Sequence, residues 1–205
     1  MILKERYLRE DIFLKVEYTL WKLYDKPNFK MSNTTAFHKK CKPFSNGIRV
    51  NDSAAAIEFY TKVFGAVEEY RHSIPGNKNK DNKEKIVHAV INIGMSKTML
   101  ADEFPEMCDG HINVGEKIRA PSTIGGNSVF LNMYFKNVDE VFEKAKMEGA
   151  TVIMPLIDAF WGDRYGQFRD PFGHIWEVAT YKKDMTNKEL ETAVKDFFEK
   201  KGNKN

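Results

Sequence analysis

Phe160–Thr180 reads FWGDRYGQFRDPFGHIWEVAT, and its pattern is that of a β-hairpin. Tyr165 and Gln167 alternate with Gly166 and Phe168 on the way in, and His174 to Val178 carry the chain out. Between them lies Asp170-Pro171-Phe172-Gly173. Asp at the first position, Pro at the second and Gly at the fourth predict a type I turn, because Pro presets φ and Asp bonds its own following backbone. On the exit strand a two-residue period puts Ile175, Glu177 and Ala179 on one face and Trp176, Val178 and Thr180 on the other. A single carboxylate, Glu177, therefore stands among apolar neighbours. The chemistry of the chain depends on what shares its face.

Upstream of the hairpin, Val129–Phe135 predicts a strand and Asn137 a helix cap. The helix Val138–Met147 turns Val141, Phe142 and Ala145 inward and closes at Glu148-Gly149-Ala150, and Thr151–Met154 is the next strand. The same order occurs earlier in the chain. Gly47–Val50 is a short strand, Asn51-Asp52-Ser53 supplies a cap, and the helix Ala54–Phe64 carries Ile57, Tyr60, Val63 and Phe64 on one face before Gly65 ends it. Val67–Ile74, Ile86–Ile93 and Thr98–Asp102 follow as strands, with the polar stretch Pro75–Glu84 as a solvated hairpin tip. Each half thus runs β-α-β-β-β. Neither closes a sheet alone, so the expected fold is α+β, two βαβββ modules paired about a pseudo-twofold into a cup-shaped mixed sheet with helices outside.

The modules occupy residues 43–183. Residues 1–42 form an N-terminal extension whose Leu3, Tyr7, Leu14, Tyr18 and Trp21 recur near helical spacing. Glu5, Glu10, Asp11 and Glu17 argue against a transit peptide, and the apolar core of a secretory signal is missing. Phe104–Asn127, rich in Gly and Pro, reads as a lid, a linker or a subunit contact. In residues 184–205, Thr186 caps a charged helix, Asn187–Lys200, with Leu190, Val194 and Phe197 on one stripe.

A net charge of +3 on 205 residues gives no electrostatic case for nucleic acid or a membrane surface, and no apolar run reaches transmembrane length. Cys41 and Cys108 have no CxxC or metal-type spacing; free thiols point to a reducing compartment, hence the cytoplasm. The Gly-rich phosphate loop, GxSxG, HExxH and CxxC are all absent, which sets aside nucleotide hydrolysis, serine-hydrolase and zinc-protease chemistry.

AAAIEFYTKVFGA (54–66), LADEFPEM (100–107), GATVIMP (149–155) and FWGDRYGQFRDPFGH (160–174) together resemble the vicinal oxygen chelate superfamily, the glyoxalase and bleomycin-resistance fold, and within it the PhnB-like branch. In metal-using members the resemblance implies four ligands: a His on the first strand, a carboxylate on the fourth, a His on the fifth and a carboxylate on the eighth. Here those positions fall on Ser45, Ala101, Phe130 and Glu177, of which only Glu177 is a metal-ligand type. No cofactor is therefore expected. The resemblance also implies a homodimer, because cups of this superfamily are often completed across subunits.

Alternation leaves Ser45, Gly47 and Arg49 facing the cup from the first strand, Phe130, Asn132 and Tyr134 from the fifth, and Ile175 and Glu177 from the last. Trp161, Arg164 and Tyr165 border it at the hairpin. An aromatic wall with a few polar anchors suits a small ligand with an apolar body and one or two polar groups. Three functions remain open: a small-molecule binder, a glyoxalase-like isomerase or lyase with Glu177 as general base, and a non-catalytic interaction module.

Overall fold

In the computed structural model, residues 45–104 and 118–202 are described. The N-terminal extension, both cysteines, His111 and half of the Gly/Pro-rich segment lie outside the described residues.

The hairpin forms as its pattern predicts. β7 (Asp163–Arg169) pairs antiparallel with β8 (Ile175–Tyr181) in the register Gln167 with Glu177 and Phe168 with Trp176. In the turn, Gly173 N–H donates to the Asp170 carbonyl at 3.0 Å with Gly173 at φ +96°, a conformation favouring glycine. Asp170 Oδ1 accepts from the backbone N–H of Phe172 and His174. β6 (Thr151–Asp158) joins β7 antiparallel and β5 (Leu131–Tyr134) joins β8 parallel, giving the order β5-β8-β7-β6. One face of this sheet meets α3 (Val138–Met147) through Val138, Phe142 and Ala145. Gly166 permits that contact, since a Cβ there would lie 2.9 Å from the Phe142 ring.

The first module repeats the plan. β1 (Asn46–Val50), β4 (Ser96–Asp102), β3 (Glu84–Ile93) and β2 (Val67–Lys78) form a sheet in that order, with β1 parallel to β4. α1 (Ser53–Phe64) starts where Asp52 accepts from Ala55 N–H and ends at Gly65, whose φ of +67° is left-handed. Asp102, buried, ties the helix start to the sheet by accepting from Ser53 N–H at 2.7 Å and Ile86 N–H at 2.6 Å. Burial holds its carboxyl above the usual carboxylate range, against those hydrogen bonds.

Several boundaries differ from expectation. β2 runs through Pro75 to Lys78 and β3 begins at Glu84, so the predicted ten-residue tip shrinks to residues 79–83. An edge strand tolerates proline, and β2 is an edge. Val129, expected under the helix, precedes β5 and is exposed. Asn137 makes no cap bond; its amide goes to Glu140, while Thr180 Oγ1 accepts from Val138 N–H. The predicted second-module cap is thus supplied by β8.

The two sheets remain separate ladders and are joined on their helix side. Phe59, Tyr60 and Phe64 of α1 meet Phe172, Trp176, Phe168 and Phe135 of the second module, with Phe64 and Trp176 at 4.5 Å between ring centroids. Tyr60 O–H and Trp176 Nε1–H both donate to Asp170 Oδ2 at 2.8 Å, so the hairpin turn anchors the joint. His174 Nε2 lies 2.9 Å from the Arg49 carbonyl oxygen. Burying such rings stabilises by about 1.5–3 kcal/mol each. The face of each sheet away from this core is partly exposed: Met99 and Tyr70 on the first sheet and Tyr134 on the second reach solvent, while Ala101 and Ala179 between them are buried.

α4 (Asn187–Gly202) begins at a capping box in which Glu189 N–H donates to Thr186 Oγ1 and Thr186 N–H to Glu189. Phe197 reaches the Phe160 ring at 4.8 Å.

Candidate functional site

The open face of the second sheet carries most of the expected residues. Register aligns Asn132, Glu177 and Gln167 in one row and Tyr134, Ala179 and Tyr165 in the next, all on the face opposite Trp176 and Val178. Gln167 Nε2 donates to Glu177 Oε1 at 2.8 Å and to the Tyr165 hydroxyl at 2.7 Å, while Asn132 Nδ2 reaches Glu177 Oε2 at 3.5 Å. The Tyr165 hydroxyl also feels the neighbouring Glu177 carboxylate. Burial pushes the Tyr165 phenol up to about 12, the Gln167 hydrogen bond opposing and Glu177 adding to the rise. At the other end of the face, buried Asp163 accepts from the Tyr134 hydroxyl at 2.8 Å and from Trp161 Nε1–H at 3.1 Å. That hydrogen bond raises the Tyr134 pKa. Trp161 stands edge-on to Tyr165 at 5.2 Å. Tyr134, bonded to Asp163, is 58% exposed, as is Phe130 just before β5.

Glu177 is half-buried and hydrogen-bonded, which removes the premise of a partnerless buried acid. Arg164 is elsewhere. One residue before Tyr165, it points to the helix side, where Asp139 of α3 and Asp158 hold its guanidinium at 2.9 and 3.5 Å. Arg49 is on the other sheet, aligned with Ala101.

The open face of the first sheet runs from Arg49 through Ala101 to His88 and His72. His88 lies on β3, an interior strand. Burial, then the charges of His72 and Arg49, hold the His88 imidazole below its ordinary range.

These positions test the metal chemistry of the fold. Ala101 and Phe130 offer no donor atom, and the Glu177 oxygens are engaged by Gln167, Asn132 and Tyr165. Among the described residues no three His, Cys, Asp or Glu side chains converge as a metal site. The donor set does not fit a divalent ion at the superfamily position.

Asp163 and Gln167 were missed as site residues. The signal was present, since both share the parity of Tyr165 on one strand. Tyr70 and His72 could not be placed, because the bulge between Glu68 and Tyr70 resets the parity of β2.

Among known proteins, a profile of the Glyoxalase/Bleomycin resistance protein/Dioxygenase superfamily matches residues 42–178. The proteins Mb0911c of Mycobacterium bovis and Rv0887c of Mycobacterium tuberculosis are each 38% identical over 145 residues, covering 71% of this chain and 87% and 78% of theirs. Of solved structures, protein PA1353 from Pseudomonas aeruginosa superposes with a TM-score of 0.51 at 22% identity, over 68% of this chain and 98% of that one. A PhnB protein from Bacillus cereus gives 0.47 at 19% identity, over 67% and 98%.

Proposed function

Because the chain belongs to the glyoxalase/bleomycin resistance protein/dioxygenase superfamily, we propose that it binds a small organic molecule in an aromatic-lined cup, without a metal at the superfamily position. One observation carries this reading. Exposed Tyr134, with exposed Phe130 four residues before it in the chain, shares with the hydrogen-bonded set Asn132, Asp163, Tyr165, Gln167 and Glu177 the sheet face opposite the one that packs on α3. Exposed apolar rings next to ordered polar groups suit a ligand with an apolar body and polar ends. A second copy of the chain completes the cup, which covers the open faces in a homodimer. Calorimetric titration with phenylacetamide tests the reading: saturable binding that Tyr134→Ala weakens severalfold is expected, and absence of saturation overturns it.

A second reading rests on the Tyr165–Glu177 contact. A carboxylate oriented by Gln167 and Asn132 can act as general base on a carbon acid beside a carbonyl. The proton passes to a Glu177 oxygen and the C–H electron pair to the carbonyl oxygen as an enolate. Turnover of a methylglyoxal–thiol adduct that Glu177→Gln abolishes would favour this enzyme; unchanged turnover removes Glu177 from the role.

A further inference from the structure

We propose that the open face of the first sheet is an oxyanion-recognition surface, where Arg49, His72 and His88 receive the anionic head of the small molecule whose apolar body lies on the second sheet. The inference rests on the cup reading above and names the class of ligand.

His72 and His88 are directly opposed on the antiparallel β2 and β3, which brings their Cβ atoms to about 4.5–5.5 Å on one face. Tyr70 lies against both, its ring centroid 5.5 Å from that of His72 and 5.8 Å from that of His88, with its hydroxyl 3.4 Å from His88 Nε2. Arg49 reaches the same face from β1, through its register with Ala101. Among the described residues, the groups on the face of His88 are Tyr70 and His72 from β2 and Arg49 from β1; β4 presents Met99 and Ala101, which do not titrate, and farther along Lys97, which is paired with Glu69. His72 and Arg49 both act on the His88 ring against its charged form. An oxyanion gains a charge-assisted contact from the planar guanidinium and lets a neighbouring imidazole take up a proton. The halves then divide the work: the first sheet holds the charged head, the second the apolar body and its neutral polar atoms.

The test compares phenylacetate with phenylacetamide, which share the phenyl body and differ in the head, an anionic acceptor against a neutral amide, by calorimetry on the full chain at pH 6 and pH 8. Phenylacetate stays ionised over this range, so a change in its affinity reports protein groups. Proton uptake on binding predicts phenylacetate affinity about tenfold higher at pH 6 than at pH 8. His88→Gln should flatten that dependence, as should His72→Gln in part, and Arg49→Met should weaken phenylacetate at both pH values. Phenylacetamide should respond to none of these. Equal, pH-independent binding of the two probes overturns the oxyanion surface and leaves the aromatic cup standing. Binding of neither overturns the cup and this inference with it.

Discussion

Asp170 closes four hydrogen bonds with one buried carboxylate: Phe172 and His174 N–H on one oxygen, Tyr60 O–H and Trp176 N–H on the other. Asp170→Asn replaces an acceptor oxygen with a donor facing donors, so a loss of about 3 kcal/mol or more is expected in urea unfolding. A loss below 1 kcal/mol would show that the joint does not rest on this residue. Tyr60 and Tyr165 carry a pH signature. Burial leads the rise in both phenols, so each stays protonated in the fold above pH 10, where the unfolded chain has begun to ionise. The unfolded state then binds fewer protons than the folded one, and stability falls as pH rises through 10 and beyond. Tyr60→Phe should make that fall shallower; an unchanged slope in denaturant titrations from pH 9 to pH 11.5 would contradict the assignment. At this scale the turn role of Asp170 was legible, because its partners Phe172 and His174 are local. Its bond to Tyr60 was not, since 110 residues separate the two.

Among elements, β7 and β8 show how far alternation reaches. Period-two reading separated Glu177 from Trp176 and Tyr165 from Phe168, as the ladder does. Arg164, expected beside Tyr165 at the border of the cup, instead takes the other face of β7, where its partner is Asp139 on α3. Where a bulge intervenes, as between Glu68 and Tyr70 in β2, parity is lost and so were Tyr70 and His72. The helices were legible through Asp52, Gly65 and their apolar stripes, while the cap of α3 was not, because Thr180 comes from another element. Gly166 marks the closest approach of α3 to its sheet. A methyl there meets Phe142 at 2.9 Å and Leu156 at 3.0 Å, so Gly166→Ala should cost about 1–3 kcal/mol by overpacking. A thermal melt unchanged from wild type would mean that α3 yields more freely than the contact implies.

For the whole molecule, two βαβββ modules could be read from the repeated FGA and EGA helix ends, but their mode of joining could not. That depends on which rings of α1 find Trp176 and Phe168, a matter of shape that one-dimensional spacing does not encode. Joining on the helix side leaves open faces bearing Phe130, Tyr134 and Tyr70, too apolar for lasting exposure. Sedimentation velocity should therefore find a dimer of the 23.7 kDa chain, and Phe130→Glu should shift it toward monomer; a monomeric wild type would contradict the shared cup. The most direct test of ligand binding uses the indole N–H resonances, with Trp161→Phe assigning the signal at the rim. Titration with phenylacetate should move the Trp161 signal saturably while that of Trp176, buried on Asp170, stays in place. A Trp161 signal that does not move, or moves without saturating, would contradict the account.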